Sequence, residues 1–481
     1  MEEELISVKG KLVQGVLALT TRTFLLQIIS FFATFVLTIL LSPSVFGVFF
    51  IVSAFISFLS YFSDFGLAAA LIQKKEYPTK EELASVFTLQ QLLVGSLVIM
   101  ALIISPYLGS YYKLDPQGIF LLQSLIISFF LSSLKTIPSI ILERNLKFEL
   151  LVIPQILETL VFYLTAIILA VLGKGILSFA WAAILRGIVG SIAIYIISPW
   201  QIRLNFRFST IRHLLSFGIP FQANSLLALV KDDLVTLILG KLLPIAHIGY
   251  LGWAKKWAEA PLRLIMDNII RVTFPVFARL QHDKNILSKA LAKSFFFLSF
   301  FIFPASLFLM LYIKPMLHFI PKYSKWEPAL VPFYLFAFSS ILSSFSSPIV
   351  NALNAIGKIR TTLKLMLFWT ILTWILVPLF TIKFGFVGSS AAYFLISLTA
   401  FLPIMIMRKI FYFPILHSIY KPFVTSIITL IITFAFLNMG LNLVWVVTSF
   451  LTGISVYILI TLIWMKDEIK PYLPKFLKLN P

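Results

Sequence analysis

Residues 295–312 read FFFLSFFIFPASLFLMLY and contain no charged residue. A helix needs about 20 residues to cross the ~30 Å hydrocarbon layer of a membrane, so this stretch predicts a transmembrane helix. Comparable apolar runs, each with one charge or none, occupy residues 24–41, 92–104 and 427–437. The sequence therefore predicts an all-α polytopic membrane protein.

The composition of the whole chain agrees with this class. Hydrophobic residues make up 60% of the 481 positions and charged residues 12%, whereas about a quarter of a soluble domain is charged. Breaks rich in proline, glycine and charge predict about fourteen spans. These are 12–41, 45–70, 82–105, 117–142, 149–172, 176–200, 214–240, 247–279, 288–312, 327–354, 358–383, 387–409, 418–438 and 441–465.

The basic residues between these spans indicate an orientation. If the N-terminus is inside, the inner gaps hold 22 basic residues and the outer gaps hold 7. By the positive-inside rule, this bias predicts a multi-pass protein of the cell membrane with both termini cytoplasmic. The net charge of +20 then reflects topology and contact with anionic membrane lipids, not nucleic-acid binding. The outer basic residues are Lys113, Lys174, Lys241, Lys314, Lys322, Lys325 and Lys383.

Several kinds of chemistry are disfavoured by the residues that the chain lacks. It has no cysteine, which excludes disulfides, thiolate metal sites and cysteine catalysis. Its five histidines show no metal-ligand spacing, so no metal site and no cofactor are predicted. A membrane glycosyltransferase or ligase would need catalytic groups on a large outer loop, but the longest outer loops carry only Asp115 as a carboxylate. We therefore expect no catalytic residue.

Two stretches indicate an internal duplication. Residues 36–54 (VLTILLSPSVFGVFFIVSA) and 236–254 (TLILGKLLPIAHIGYLGWA) each contain a helix end, an outer turn with proline, a glycine and a new helix. The offset of about 200 residues equals six spans, which predicts two parallel six-helix lobes, as in many transporters. We predict lobes at 1–205 and 206–412, with two additional helices and a basic cytoplasmic tail at 413–481.

A set of short motifs carries a family resemblance. In chain order they are LSPSVFGVF (41–49), FSDFGLAAALIQKK (62–75), Pro138 followed by ERNLKF (143–148), SFGIPFQAN (216–224), the 236–254 segment and VTFPVFARL (272–280). With these motifs the chain resembles the Wzx-type polysaccharide and O-antigen flippases. That family is the polysaccharide-transporter branch of the multidrug/oligosaccharidyl-lipid/polysaccharide exporter (MOP) superfamily.

The resemblance implies both a fold and a function. The implied fold is a MATE/MOP-like bundle of two six-helix lobes, and the implied activity moves lipid-linked oligosaccharide from the inner to the outer leaflet. The expected partners are this substrate and membrane lipids, with polysaccharide assembly proteins as further candidates.

Ten basic residues lie inside the predicted spans, where an unpaired charge is costly. Lys135, Lys293 and Lys364 are close enough to the inner surface for a snorkelling side chain. Lys256 is a candidate for snorkelling outward, and the others need a charged partner or a polar cavity. The ten are Arg22, Lys135, Arg186, Lys231, Lys255, Lys256, Arg263, Arg271, Lys293 and Lys364.

Two ion pairs are predicted between neighbouring spans. Arg22 and Asp64 have similar depths in the first two spans, and Glu158 and Arg186 form a parallel candidate in spans five and six. Each pair could simply lock two helices together. Alternatively, Arg22 and Arg186 line a cationic cavity, since a guanidinium suits bidentate contact with a diphosphate.

The eighth span carries a ladder of alternating charges at intervals of four: Lys255, Glu259, Arg263, Asp267 and Arg271. Residues four apart lie on one face of a helix, and Pro261 is expected to kink the helix. The ladder is either a self-neutralising structural feature or the wall of a wet cavity whose cations, Lys255, Arg263 and Arg271, bind substrate phosphate.

Aromatic residues near span ends, namely Trp200, Tyr323 and Trp326, are predicted to be interfacial anchors. Trp253 and Trp257 are candidates for stacking on a sugar.

The leading hypothesis is a flippase for polyprenyl-diphosphate-linked oligosaccharide that works by alternating access. A proton or sodium gradient could drive it, and the acidic residues of the spans are then coupling or ion-pair candidates. The alternative is a drug/cation antiporter of the same fold, which predicts a cavity rich in carboxylates. The excess of basic over acidic residues favours the flippase. The acidic candidates are Asp64, Glu158, Asp232, Asp233, Glu259 and Asp267.

Overall fold

The computed structural model describes the backbone of residues 2–440 and 442–470. Their side chains are described except at positions up to 20, at gaps within 209–228, and at 267–268 and 271–272. All regular structure in this described part is helical, which confirms the predicted all-α class. The helices are α1 (Glu2–Leu40), α2 (Pro43–Tyr61), α3 (Leu67–Gln73), α4 (Lys80–Tyr111), α5 (Pro116–Ser133), α6 (Thr136–Arg144), α7 (Phe148–Val171), α8 (Leu177–Ile197), α9 (Phe208–Leu242), α10 (Ile245–Ala258), α11 (Ala260–Leu280), α12 (Lys284–Phe319), α13 (Leu330–Ser344), α14 (Ser346–Ala355), α15 (Ile359–Ser397), α16 (Phe401–Arg408), α17 (Ile415–Leu437), α18 (Leu443–Trp464) and α19 (Lys466–Ile469).

Within the described residues, 11 stretches are long and apolar enough to cross a membrane. One of them, Ile359–Arg408, contains two predicted spans and is broken at Gly385, which has a φ of 64°. The predicted spans 214–240 and 247–279 form α9, α10 and α11, which carry several charges and are not among the 11. The count of fourteen spans therefore stays a prediction.

The chain forms two compact units. The first contains Met1–Gly252 and Thr373–Phe386, and the second contains Trp253–Leu372 and Val387–Pro481. Helix α9 belongs to the first unit because it packs on α2, α3 and α4. The predicted lobe boundaries at 205 and 412 stay a prediction.

In the first unit, α7 and α8 form the central pair. Helix α1 packs on α7, and α5 packs on α8, α4 and α2. This places the predicted spans one, five and six side by side, which are three of the spans that carry candidate charges. In the second unit, α12 packs on α11, α13 and α17, and α17 packs on α18.

Polar contacts attach α18 to α12 in the second unit. The hydroxyls of Tyr312 and Ser449 lie 2.8 Å apart, and the hydroxyl of Tyr457 donates to the carbonyl of Phe300 at 2.7 Å. Helices surrounded by lipid gain little from the hydrophobic effect when they associate, so hydrogen bonds and close packing contribute most. The second of the two additional helices predicted from the sequence, α18, is thus held to α12 by specific contacts.

Two glycines lie at a close contact between the two stretches that predict an internal duplication, which itself stays a prediction. A methyl group at Gly47 would lie 2.0 Å from the carbonyl oxygen of Ile245, and one at Gly249 would lie 1.8 Å from that of Pro43. Pro43 and Ile245 each begin a helix, and each glycine follows four residues later. The contact between α2 and α10 is therefore reciprocal, as expected for two copies of one helix start. In this contact Gly47 corresponds to Gly249, whereas the alignment of residues 36–54 with 236–254 pairs position 47 with position 247.

The predicted second span is broken before its inner end, and the FSDFG motif forms the break. Helix α2 ends at Tyr61, and Phe65 and Gly66 have φ values of 48° and 77°. Glycine is required at position 66 for a second reason, since a methyl group there would lie 2.3 Å from the carbonyl oxygen of Gly218 on α9. Two motifs of the family resemblance, at 62–75 and 216–224, are therefore in direct contact.

Arg144, in the ERNLKF motif, holds the segment that follows α3. Its guanidinium donates to the carbonyls of Lys74 at 2.7 Å and Glu76 at 2.8 Å, and it lies over the ring of Tyr77. These carbonyls follow the end of α3 and belong to a segment without regular structure that needs external donors. Arg144 thus joins the 143–148 motif to the end of the 62–75 motif and to the residues that follow it.

Candidate functional site

The main charged cluster of the first unit consists of Lys135, Glu158 and Arg186, which we call the first triad. Glu158 lies on α7 and Arg186 on α8, while Lys135 occupies the turn between α5 and α6. The ammonium Nζ of Lys135 donates to Glu158 Oε1 at 2.6 Å, and Arg186 Nε lies 3.7 Å from Glu158 Oε2. The predicted Glu158–Arg186 pair is present. The closer partner of Glu158, however, is Lys135, which was expected to snorkel to the inner surface.

The carboxylate of Glu158 fits between α7 and α8 because position 190 is a glycine. A methyl group at Gly190 would lie 2.1 Å from Glu158 Oε1 and 2.4 Å from its Cδ. The Glu158 side chain is 9% exposed, whereas that of Arg186 is 51% exposed. The carboxylate is thus buried against the helix, and the guanidinium extends out of the cluster.

Glu158 of the first triad lies near the middle of helix α7. Glu158 follows the start of α7 at Phe148 by ten residues, about 15 Å of helix, which is half of the ~30 Å layer. A single carboxylate or ammonium at this depth would be costly. The two cations and one carboxylate of the triad have a net charge of +1. Because Lys135 is the closer partner of Glu158, the positive charge of Arg186 is the less neutralised one.

Arg186 does not share the lipid-facing side of α8. The exposed apolar residues Leu185, Ile188 and Ile192 recur at the spacing of one helical face. At 3.6 residues per turn, Arg186 lies about 100° or more around the helix from each of them. Its guanidinium carbon lies 5.8 Å from the centre of the Phe162 ring, which provides a cation–π contact. The exposed part of Arg186 therefore lies on a different side of α8 from these three apolar residues.

A second triad of the same residue types lies in the second unit: Lys255, Glu259 and Arg263. Arg263 Nη2 donates to Glu259 Oε2 at 2.8 Å, and Lys255 Nζ lies 3.9 Å from Glu259 Oε1. Lys255 also lies over the ring of Tyr393, 4.9 Å from its centre. Arg263 is again the exposed member, with 67% of its side chain accessible. The first two steps of the predicted charge ladder are thus formed.

The part of α10 and α11 that carries the second triad shows no exposed apolar stripe among its described side chains. Between Ile245 and Ile270, Arg263 is the one exposed residue among those whose side chains the structure describes. Helix α10 ends at Ala258 and α11 begins at Ala260, but the backbone hydrogen bonds of Glu259 to Lys255 and of Arg263 to Glu259 continue across this boundary. The predicted kink at Pro261 therefore stays a prediction. A charged helix without an exposed apolar face packs on protein or lines a polar cavity.

The predicted ion pair between Arg22 and Asp64 is wrong. Arg22 Nη1 donates instead to the side-chain oxygen of Gln155 on α7 at 2.7 Å. Its charge also acts on Glu143, which lies beyond the predicted fourth span. Burial raises the pKa of the Glu143 carboxyl, and Arg22 opposes this rise.

Asp64 makes local contacts. Its two carboxylate oxygens accept hydrogen bonds from the backbone N–H of Gly66 at 3.0 Å and of Ala68 at 3.3 Å. The prediction assumed one continuous second span, in which Asp64 would project from a helix face. The break after Tyr61 places it in a turn before α3, where a carboxylate satisfies the unpaired N–H groups of the new helix.

The remaining acidic candidates differ in their surroundings. Asp232 on α9 is half exposed and lies 3.9 Å from the ammonium of the adjacent Lys231, and Asp233 next to it is partly buried. The side chains of Asp267 and Arg271, the last two steps of the predicted ladder, lie outside the described residues.

The predicted roles of four aromatic residues are wrong. Trp253, a candidate for sugar stacking, is 1% exposed because it stacks on Trp326 at 5.4 Å and donates to the hydroxyl of Tyr323 at 3.2 Å. Tyr323 and Trp326 are equally buried, so they pack inside the second unit instead of anchoring it at the interface. Trp257 is also buried and unavailable to a sugar.

Sequence reasoning missed Lys135, Gln155 and Gly190 as parts of the site. Lys135 carries only a weak signal, because its place just before Pro138 indicates a helix break but does not say which helix supplies its partner. Gln155 and Gly190 have no comparable signal, since an amide or a glycine within an apolar span is common. Among the described residues, no group of three His, Cys, Asp or Glu could hold a metal ion.

Comparison with solved structures defines the class of the protein. The structure of the lipid II flippase MurJ in an inward closed conformation matches with a TM-score of 0.76 and 20% identity, covering 94% of this chain and 100% of that one. An inward-facing multidrug resistance MATE family transporter of the MOP superfamily matches with a TM-score of 0.62 and 16% identity, covering 80% and 95%. The chain therefore has the MATE/MOP-like fold that the sequence predicted.

The family follows from the sequence comparisons. The model of a family described as polysaccharide biosynthesis proteins matches residues 36–331, and the chain belongs to this family. It is 25% identical over 393 residues to the lipopolysaccharide biosynthesis protein WzxC of Escherichia coli K12, covering 78% of this chain and 77% of that protein.

Proposed function

We propose that this protein is a flippase that carries polyprenyl-diphosphate-linked oligosaccharide from the inner to the outer leaflet for cell-surface polysaccharide biosynthesis. The observation that carries the proposal is membership of the polysaccharide biosynthesis protein family. The name of WzxC and the fold shared with the MurJ flippase support it. The two triads add the chemistry that an anionic substrate requires.

In this proposal, Arg186 and Arg263 bind the diphosphate. Each is the exposed member of a triad with a net positive charge, and each is oriented by a glutamate. A guanidinium has five N–H donors, so it can contact a carboxylate and still offer donors to phosphate oxygens. Lys255 and Arg271 are further candidate contacts, and Arg22 remains one on α1. Alternating access would then carry the headgroup across the membrane while the prenyl chain stays in lipid.

The alternative, a drug/cation antiporter, requires carboxylates that are available to a cationic substrate. Glu158 and Glu259 each contact two cations already, and Asp64 binds backbone N–H groups. The site therefore favours an anionic substrate. For the same reason, Asp232, which is half exposed with its ammonium contact at 3.9 Å, is the best described candidate for coupling to a proton or sodium gradient.

The proposal places the protein in the cell membrane with both termini in the cytoplasm. Single cysteines test this, because the native chain has none. A cysteine at Ser324 should react with a membrane-impermeant maleimide in intact cells. A cysteine at Glu76, whose side chain is 87% exposed, should react only after permeabilisation. The opposite labelling pattern would overturn the topology.

The function itself is tested in liposomes. The purified protein is reconstituted with a fluorescent lipid-linked oligosaccharide, and leaflet exchange is followed by quenching from outside. We expect exchange that depends on the protein and that responds to a proton or sodium gradient if the transport is coupled. Export of a cationic dye without any exchange of the lipid would favour the antiporter. Turnover of the lipid-linked sugar into a new product would point to an enzyme, which we do not propose.

A further inference from the structure

Glu158 divides its two oxygens unequally between its cationic partners. The contact with Lys135, at 2.6 Å, is a short charge-assisted hydrogen bond, whereas the contact with Arg186, at 3.7 Å, is longer than a hydrogen bond. Lys135 is also the better buried partner, with 16% of its side chain exposed against 51% for Arg186. The carboxylate is therefore neutralised mainly by the lysine.

This division has a consequence for the arginine. A carboxylate buried near the middle of a membrane needs a partner, because breaking its ion pair leaves an uncompensated charge. If Lys135 were absent, the nearest cation would be Arg186, whose planar guanidinium can bind a carboxylate through two parallel hydrogen bonds. The same donors would then be lost to a phosphate ligand.

We infer that Lys135 is a positioning residue that keeps Arg186 available to the diphosphate by occupying the Glu158 carboxylate. The inference rests on the proposed function and deepens it. In this arrangement, Glu158 orients Arg186 from a distance without consuming its donors, and Gly190 provides the space that the carboxylate needs. Lysine suits this role because its ammonium is a compact charge that cannot form the bidentate contact made by arginine.

The opposite effects of two substitutions distinguish this role from a structural one. Lys135→Met retains an apolar side chain of similar length but allows the Glu158 carboxylate to bind Arg186. Because Arg186 would then have fewer donors for a ligand, the affinity for a diphosphate should fall by about tenfold. Glu158→Gln added to Lys135→Met removes the competitor and should restore most of the affinity. If Lys135 merely stabilised the fold, the double variant would recover thermal stability, but the affinity of the folded single variant for a diphosphate would not have fallen.

Lys421→Met is the matched control. Lys421 also donates to a glutamate, Glu468, at 2.6 Å, but it lies on α17 in the second unit and takes no part in either triad. Its removal should leave the affinity for diphosphate unchanged. Lys135→Arg, which keeps a charged partner for Glu158, should retain most of the wild-type affinity.

The experiment measures the binding of inorganic pyrophosphate to the purified protein by titration calorimetry, and leaflet exchange in liposomes as a function of lipid concentration. Thermal unfolding in detergent confirms that each variant is folded. We expect Lys135→Met to weaken pyrophosphate binding and to raise the half-saturating lipid concentration more than it lowers the maximal rate. Recovery in the double variant would support the competition.

Two results would overturn the inference. One is a folded Lys135→Met variant with unchanged affinity, and the other is a double variant that binds no better than the single one. Failure of the proposed function would look different, because the wild-type protein would then exchange no lipid whether or not it bound pyrophosphate.

Discussion

The two triads contain the same three residue types but are assembled in opposite ways. In the first, three separate elements bring the charges together, the carboxylate is buried, and lysine is its close partner. In the second, successive turns of one helical segment bring them together, the carboxylate is 23% exposed, and arginine is its close partner. Both nevertheless leave an arginine as the most exposed member.

This difference indicates that the two arginines are not equivalent. The guanidinium of Arg263 already donates to Glu259 at 2.8 Å, whereas that of Arg186 lies 3.7 Å from its carboxylate. Arg186 therefore has more donors for a ligand, and it depends on Lys135 to keep them. Arg263 contacts its carboxylate directly, so it offers fewer donors.

The largest expected effect is on the stability of the first triad. Glu158→Ala leaves two cations near the middle of the membrane without their buried carboxylate, so unfolding should become easier by about 3 kcal/mol. Glu259→Ala removes a more exposed carboxylate and should cost about 1 kcal/mol or less. Thermal unfolding in detergent compares the two variants. Equal losses would mean that both triads are equally solvated.

The next effect concerns the space that the first triad requires. Gly190→Ala places a methyl group 2.1 Å from Glu158 Oε1, so α7 and α8 must separate or the carboxylate must move, at a cost of about 1–3 kcal/mol. Gly95→Ala on α4 is the control, because a methyl group there meets no atom within 4 Å. It should leave stability unchanged or raise it. If both variants behave alike in thermal unfolding, Glu158 is not confined by this contact.

A smaller effect is expected at Arg263, and it appears in transport more than in stability. Its side chain is 67% exposed, so Arg263→Ala should change stability by about 1 kcal/mol or less. Loss of a phosphate contact should nevertheless reduce transport by about tenfold. Arg263→Lys keeps the charge but not the planar fork and should be intermediate. Normal transport by Arg263→Ala at normal protein levels would make the second triad a structural feature.

The same contrast explains how much of the fold and of the candidate site could be predicted from the sequence. Apolar length and charge bias depend on local composition, so the helical class was predictable. The Lys255–Glu259–Arg263 ladder was predictable too, because spacing alone places residues four apart on one helix face. The contact between Lys135 and Glu158 was not predictable, because it depends on the packing of α5, α7 and α8. From the local sequence alone, Lys135 is expected to snorkel to the membrane surface.

The error at Asp64 has the same origin. Matching depths across neighbouring spans assumed that each span is one helix, but Phe65 and Gly66 interrupt the second span with left-handed backbone. Asp64 then bonds to the chain next to it, and Arg22 to an amide on a helix far along the sequence. Contacts between distant elements require knowledge of which helices are neighbours, and composition does not contain it.

The smallest expected effect tests this correction, and it asks whether α1 belongs to the polar network around the first triad. Arg22 and Gln155 are joined by a 2.7 Å hydrogen bond, and Gln155 precedes Glu158 by one turn of α7. A double-mutant cycle with Arg22→Ala and Gln155→Ala, measured by thermal unfolding, should give a coupling energy of about 0.5–1 kcal/mol, as for other polar contacts between membrane helices. The cycle with Arg22→Ala and Asp64→Ala should give none, because the carboxylate of Asp64 is bonded to the backbone of Gly66 and Ala68. Coupling to Asp64 but not to Gln155 would restore the ion pair that the sequence suggested. It would also separate Arg22 from the first triad.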